Sequence, residues 1–247
     1  MALRAIIFDC DGVIVDSESN HFEAFRVTLQ GEGIGLTRTE YDRTYLAMDD
    51  KGCFESALRA AGQPVDMPIL KRLILEKKAR YAALAGGGLV IYPGVAAFVE
   101  QARGKYRLAV ASGAFRAEIK DALDCAGIRS AFEVIVSAQD VKRGKPDPES
   151  YQTALAQLNA RSASQTPISP AECVVIEDSI HGVQSARAAG MRCLAVTHSY
   201  PRALLAPLAD RVVDDLTEIK PADLEVLVSH HNHADLILSD ELGIVLG

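Results

Sequence analysis

Residues 4–17 read Arg4-Ala5-Ile6-Ile7-Phe8-Asp9-Cys10-Asp11-Gly12-Val13-Ile14-Val15-Asp16-Ser17. A short apolar run gives way at once to two carboxylates around Cys10 and then to a glycine. A run without polar alternation fits a strand covered on both faces, as in a parallel sheet. Asp and Gly directly after it are turn formers, so Asp9 and Asp11 stand at the carboxyl end of that strand. In open α/β sheets this is the edge where ligands bind.

The same pattern recurs along the chain. Further β-branched, nearly continuous apolar runs occupy residues 107–111, 133–136, 173–176, 192–197 and 211–213. Helix-like segments separate them, with 117–126 ending at Gly127 and 184–189 ending at Gly190, both suited to the glycine stop of a helix. Strands alternating with helices predict a doubly wound, Rossmann-like α/β core with a parallel sheet.

Residues 17–86 break this rhythm and read as four helices. Phe22, Phe25 and Leu29 fall on one helical face. Thr37 and Glu40 have capping-box spacing ahead of a second helix. A third runs from about Asp50 and stops at Gly62; a fourth starts after Asp66, with Pro68 in its first turn, and stops at Gly86. The expected organisation is therefore an α/β core of residues 1–16 and 87–247 and a helical cap of 17–86. The junctions at 15–17 and 86–88 suit a lid on flexible connections. Residues 162–170 read as a polar loop within the core.

Composition narrows the function classes. A chain of 247 residues, 49% hydrophobic and 24% charged, has the make-up of a globular protein with a sizeable core. With 26 Lys+Arg against 33 Asp+Glu, the net charge of −7 argues against a nucleic-acid binder, which needs a basic stripe. The longest charge-free stretch, 81–99, holds four glycines and a proline, so no membrane span is expected. Five cysteines without a C-x-x-C pair read as reduced thiols of a cytoplasmic protein. Cys10 lies between two acids, which should raise its pKa. A monomer or weak homodimer is expected, with the apolar tail beyond Asp235 free to dock on the core or a neighbour. His230, His231 and His233 have no acidic or thiol partner pattern and read as an exposed cluster.

The candidate site follows from what stands after each run. Asp9, Asp11 and Gly12 follow the first, and Ser112 and Gly113 the second. Arg143-Gly144-Lys145-Pro146 lie beyond the third, and Glu177 and Asp178 follow the fourth. Clustered carboxylates need a cation, and hard oxygen donors without His or Cys point to Mg²⁺. The chemistry implied is phosphoryl transfer, with one carboxylate attacking phosphorus and a second, past a tight turn, protonating the leaving oxygen. Ser112, the Gly113 amide and Lys145 are placed to hold the equatorial oxygens. Pro146 restricts the backbone of Lys145. Glu177 and Asp178 could equally favour the start of the next helix, and Lys77, Lys78 and Arg80 a solvated helix face.

Asp9-Cys10-Asp11-Gly12-Val13, Ser112-Gly113, Lys145-Pro146 and Glu177-Asp178-Ser179 resemble, in order and strand-end position, the four motifs of the haloacid dehalogenase superfamily. The helical insertion resembles its type-1 cap. Asp16-Ser17-Glu18 with His21, Tyr92-Pro93-Gly94 and Lys145-Pro146-Asp147-Pro148-Glu149 are most similar to the β-phosphoglucomutase-like, or CbbY-like, branch. The resemblance covers about residues 3–215. It implies Asp9 as nucleophile and metal ligand, and Asp11 as general acid/base whose backbone carbonyl also binds Mg²⁺. It implies Ser112 and Lys145 as holders of the phosphoryl group, Asp178 as direct metal ligand and Glu177 as either a further ligand or a residue directly behind the ligands. His21 and Lys77 match cap positions that face substrate. Leu46-Ala47-Met48-Asp49-Asp50-Lys51 stands where mutases carry a cap arginine, and it has none. The expectation is a Mg²⁺-dependent phosphatase of a small phosphorylated metabolite, a sugar phosphate, with a sugar phosphomutase as the alternative.

Overall fold

The protein's structure, a computed structural model, describes residues 2–46, 48–86, 88–161 and 166–229. The expectations for His230, His231, His233 and the apolar tail, for Ala47 and Gly87, and for residues 162–165 lie outside the described residues.

The strands are β1 (Ala5–Phe8), β2 (Val15–Asp16), β3 (Val90–Ile91), β4 (Arg107–Ala111), β5 (Val134–Val136), β6 (Cys173–Glu177), β7 (Arg192–Val196) and β8 (Arg211–Val213). Six of them form one sheet in the order β5-β4-β1-β6-β7-β8, with every neighbouring pair parallel. β1 is central, in register with β4 through Phe8↔Val110 and with β6 through Phe8↔Ile176. The chain leaves β1 toward β4 and β5 on one side and returns to β6 and β7 on the other. The crevice at this switch opens at the carboxyl end of β1.

Continuous apolarity has the reason expected, because alternate residues serve opposite layers. Ile6, Phe8, Leu108, Val110, Val174 and Ile176 meet α5 (Val95–Ala102), α6 (Arg116–Cys125) and α10 (Glu225–Ser229). Ala5, Ile7, Ala109, Ala111, Cys173 and Val175 meet α7 (Glu149–Ala160), α8 (Ile180–Ala188) and α9 (Arg202–Leu205). β6 runs one residue further than its apolar run, to Glu177, which still pairs with Ala195. A charged residue stays in the ladder because its carboxylate is fully hydrogen-bonded, as described below.

Between β2 and β3 stand four helices, α1 (Glu18–Gly31), α2 (Arg38–Thr44), α3 (Asp50–Ala60) and α4 (Met67–Ala85). Thr37, Asp49 and Asp66 cap the last three by accepting the backbone N–H groups of Glu40, Gly52 and Ile69. Phe25, Leu29, Tyr41, Phe54, Leu58 and Leu73 form a core of their own. The junctions are more structured than glycines suggest, since β2 and β3 pair antiparallel, Val15 opposite Ile91. No described helix is long and apolar enough to cross a membrane.

Phe8 is wholly buried and meets Phe98 and Phe132 edge-on, with centroids 6.0 and 5.5 Å away. Phe8→Ala is expected to lower unfolding free energy by about 3–5 kcal/mol in urea denaturation; a loss under about 1 kcal/mol would contradict this packing.

Candidate active site

Backbone pairing carries past the strand ends and sets the floor of the site. The Asp9 N–H donates to the Ile176 carbonyl at 2.9 Å, and the Ser112 N–H to the Val136 carbonyl at 3.0 Å. Asp9 and Ser112 are therefore as fixed as strand residues. Asp9, Asp11, Ser112, Gly113, Lys145 and Asp178 all line one cavity of about 470 Å³, roofed by α1, α3 and α4.

Lys145 ties two motifs together. It lies in a turn, joined to Pro146 by a cis peptide. Its Nζ donates to Asp9 Oδ1 at 2.7 Å and to Glu177 Oε1 at 2.6 Å. Burial works against the ammonium, but the charges of Asp9 and Glu177 raise its pKa above the usual lysine value.

Every acceptor position on Glu177 is in use. Oε1 also accepts from the Tyr151 hydroxyl at 2.7 Å. Oε2 accepts from the Asp178 N–H at 2.9 Å and from the Ser179 N–H and Oγ, each at 3.1 Å. Burial raises its pKa, yet Lys145 and these donors hold it below the usual carboxylate range. Neither Glu177 nor Asp178 caps α8, because Ser179 takes that place by accepting from the Gly182 N–H at 3.0 Å. Gly182 makes room for the carboxylate, since a Cβ there would stand 1.8 Å from Glu177 Oε1.

Asp9, Glu177 and Asp178 each present an oxygen within 4.8 Å of the others, the cluster of this kind among the described residues. Burial, then the mutual repulsion of the acids, pushes Asp178 well above the ordinary carboxylate value. The same causes push Asp9 up to about 7, even with Lys145 beside it. One lysine against three buried carboxylates leaves negative charge to be met. Oxygen-only donors suit a hard divalent cation such as Mg²⁺. Gly12, at φ 75°, lets Asp178 approach, because a Cβ there would be 1.8 Å from its Oδ2. The carboxylate of Asp11 is not in this cluster, so any ligation by Asp11 falls to its carbonyl.

That carboxylate turns instead toward the helical roof. Asp11 Oδ1 accepts from the Ser17 hydroxyl and lies 3.8 Å from His21 Nε2. Burial raises Asp11, but His21 and Ser17 outweigh it and hold the group below its ordinary value. His21 Nδ1 is 2.8 Å from Lys77 Nζ, and Lys77 also donates to Asp50 at 2.8 Å. An ammonium only donates, so His21 Nδ1 accepts and its proton sits on Nε2, facing Asp11. Lys77 is thus not on a solvated face. It is 3% exposed, over the rings of Phe25 and Tyr81. Its neighbour Lys78 lies over Phe115 at 3.8 Å.

Ser112 Oγ accepts from the Ala114 N–H at 3.0 Å, which leaves its own proton to donate. Gly113 is exposed beside it. Cys10 is buried, and burial, then Asp11 and Asp9, hold it as a thiol.

Several site residues escaped the sequence reading. Ser199 donates to Asp178 Oδ2. His198 Nδ1 lies 2.7 Å from the Gly12 carbonyl, its ring stacked on Tyr92 at 3.7 Å. Both follow β7, so extending the strand-end reading to the fifth run would have found them. Tyr151 carries no such signal, since it sits in the first turn of α7 and not at a strand end.

The profile of the haloacid dehalogenase-like hydrolases matches residues 3–190. The chain is 33% identical over 226 residues to Protein CbbY of Rhodobacter capsulatus, covering 88% of this chain and 95% of that one. It is 31% identical over 199 residues to the phosphorylated carbohydrates phosphatase of Thermotoga maritima, covering 80% and 87%. The crystal structure of a CbbY mutant from Rhodobacter sphaeroides with xylulose-(1,5)bisphosphate superposes with a TM-score of 0.78 at 29% identity, covering 90% and 99%.

Glycine to alanine in a helix ordinarily stabilises by up to about 1 kcal/mol. Gly182→Ala should instead destabilise by about 1–3 kcal/mol, because the new methyl overlaps Glu177; a more stable variant in chemical denaturation would refute this packing. Asp9 titrates near 4 in an unfolded chain but at about 7 here. The metal-free fold should therefore lose stability as pH climbs through that window. Mg²⁺ at a hundred times its Kd should return about 2.7 kcal/mol. In calorimetry the rise in Tm should be larger at pH 8 than at pH 5; an unchanged Tm at both would count against the metal site.

Proposed function

The chain belongs to the haloacid dehalogenase-like hydrolases, in the branch that holds the CbbY proteins, and from this we propose that it is a Mg²⁺-dependent phosphatase of a sugar phosphate working through an aspartyl-phosphate. What supports the reading is the convergence of Asp9, Asp11, Ser112 and Lys145, from three separate loops, on one cavity.

Asp9 attacks phosphorus and the ester oxygen leaves with a proton from Asp11. Water then attacks the aspartyl-phosphate, Asp11 takes a proton from it, and inorganic phosphate departs. Asp11 is held ionised by His21 and Ser17, as the second half requires. For the first half its proton affinity rises when a phosphate anion approaches. Lys145 holds Asp9 in place and, with the Ser112 hydroxyl and the Gly113 amide, meets the charge spread over the equatorial oxygens. Asp9, Asp178 and the Asp11 carbonyl would hold Mg²⁺, which supplies positive charge between nucleophile and phosphate. Glu177 acts through Lys145 instead of as a free ligand. Residues 17–86 act as a cap over this floor, with the β2–β3 ribbon as its hinge.

Two relatives have names or titles that concern phosphorylated sugars, which supports that substrate class here. A phosphomutase reading has one observation in its favour, the His21–Lys77 pair over Asp11. The cavity, however, is lined by no arginine among the described residues to clamp a second phosphate.

Asp9→Asn should fold normally and retain less than about a thousandth of wild-type turnover. Excess EDTA should abolish activity and Mg²⁺ restore it. Phosphorus NMR of β-glucose 1-phosphate seeded with glucose 1,6-bisphosphate should show net inorganic phosphate; faster appearance of glucose 6-phosphate would establish the mutase instead.

A further inference from the structure

Two of the buried acids have one oxygen held by the protein and one left over. Lys145 donates to Asp9 Oδ1, and Ser199 donates to Asp178 Oδ2. Asp9 Oδ2 and Asp178 Oδ1 accept from no donor among the described residues. Glu177 differs, because both of its oxygens already accept hydrogen bonds. A ligand oxygen has to be free of donors, since an N–H or O–H on it competes with the ion. The carboxylate that carries it still has to be held, since a carboxylate free to turn loses that freedom when the ion binds.

The two donors differ in charge. The ammonium of Lys145 offsets charge on Asp9 and Glu177. The hydroxyl of Ser199 is neutral, so it fixes Asp178 and leaves the negative charge for a cation. The space around Oδ2 is tight, because a Cβ on Gly12 would stand 1.8 Å from Oδ2 and 3.1 Å from Ser199 Oγ. The loop that carries Ser199 is anchored without it. The Thr197 N–H donates to the Val213 carbonyl of β8 at 3.2 Å, and its hydroxyl to Asp214 at 3.0 Å. His198 Nδ1 is 2.7 Å from the Gly12 carbonyl, and a carbonyl only accepts, so Nδ1 donates. The His198 ring lies flat on Tyr92, 7° from parallel. Ser199 is thus delivered to Asp178 by a frame that other residues hold in place.

We propose that Ser199 is a positioning residue for the metal: its hydroxyl holds Asp178 Oδ2 beside the Gly12 turn, so that Oδ1 is left for a divalent cation. The proposal rests on the metal site of the phosphatase reading and adds a residue to it. Ser199 does for Asp178 what Lys145 does for Asp9, with a neutral donor in place of a charged one.

The test is titration calorimetry of Mg²⁺ into the metal-free full-length enzyme, without substrate, for wild type, Ser199→Ala and Ser199→Thr. Folding is checked by thermal unfolding in EDTA. Loss of a residue that orients a metal ligand costs about 10–100-fold in metal affinity, so Ser199→Ala should raise the Kd for Mg²⁺ at least about tenfold. Ser199→Thr keeps the hydroxyl and should stay within about threefold of wild type, since a tenfold change is the smallest such loss. With p-nitrophenyl phosphate as substrate, the Mg²⁺ concentration for half-maximal rate should rise in Ser199→Ala by the same factor as the Kd, and turnover lost at low Mg²⁺ should return as Mg²⁺ is raised. An unchanged Kd in Ser199→Ala would overturn the proposal. So would an equal weakening in Ser199→Thr, because the hydroxyl would then not be the cause. Should the alanine variant unfold, the threonine variant decides: affinity near wild type supports the role, and a tenfold loss refutes it. Wild type that takes up no Mg²⁺ removes the metal site and this proposal together. Wild type that binds Mg²⁺ but releases no phosphate ends the phosphatase reading alone and leaves the role of Ser199 standing.

Discussion

The ammonium of Lys145 between Asp9 and Glu177 is the interaction on which the site depends. A lysine this buried is stable only if paired and hydrogen-bonded. Two carboxylates at 2.7 and 2.6 Å meet that need. Glu177 is in turn fixed by Tyr151, Ser179 and the Asp178 N–H. Gly182 leaves the space it occupies. Removing the fully buried Glu177 carboxylate would leave the ammonium with Asp9 alone, which is more costly than the pair is stabilising. The geometry of the site and the integrity of the β6 end are thus one problem. Asp9 and Asp178 remain under-neutralised, and that imbalance makes a divalent cation fit.

A second network links floor to roof. From Asp11 it runs through His21 to Lys77 and Asp50, so that a carboxylate on the β1 loop is electrostatically coupled to α3 and α4. Lys77 thereby does two things. It fixes the tautomer of His21, and it consumes the charge of Asp50. Changes in α4 will therefore reach the surroundings of Asp11.

The loop after β7 supplies a third constraint. His198 meets the Gly12 carbonyl while Ser199 meets Asp178. Adjacent residues therefore hold the two acidic turns at a fixed separation. The stack of His198 on Tyr92 ties this point to the return of the chain from the helical insertion. Tyr92 also donates its N–H to the Ile14 carbonyl at 3.1 Å. The segment that follows β3 is thus tied to the β1 and β7 loops beside the site.

Much of this was legible in the chain. The apolar runs, with Gly127 and Gly190 after the helices, sufficed for a parallel α/β sheet, because burial on both faces leaves no polar alternation. Thr37, Asp66 and Gly86 bounded the inserted helices, because capping is local chemistry. Asp9, Asp11, Ser112, Lys145 and Asp178 could be picked out because each follows a strand, whose ends meet at one edge. Side-chain direction could not be read this way. The turn of Asp11 toward Ser17 and His21, the burial of Lys77 and the full occupation of Glu177 depend on residues distant in sequence. Tyr151 reaches Glu177 across 26 positions, and Lys145 reaches Asp9 across 136. The chain by itself determined which chemical groups reach the crevice, since strand and helix periodicity is local. Tertiary structure alone decided which charges neutralise one another there, because that depends on distances of a few ångströms between segments that meet only after folding.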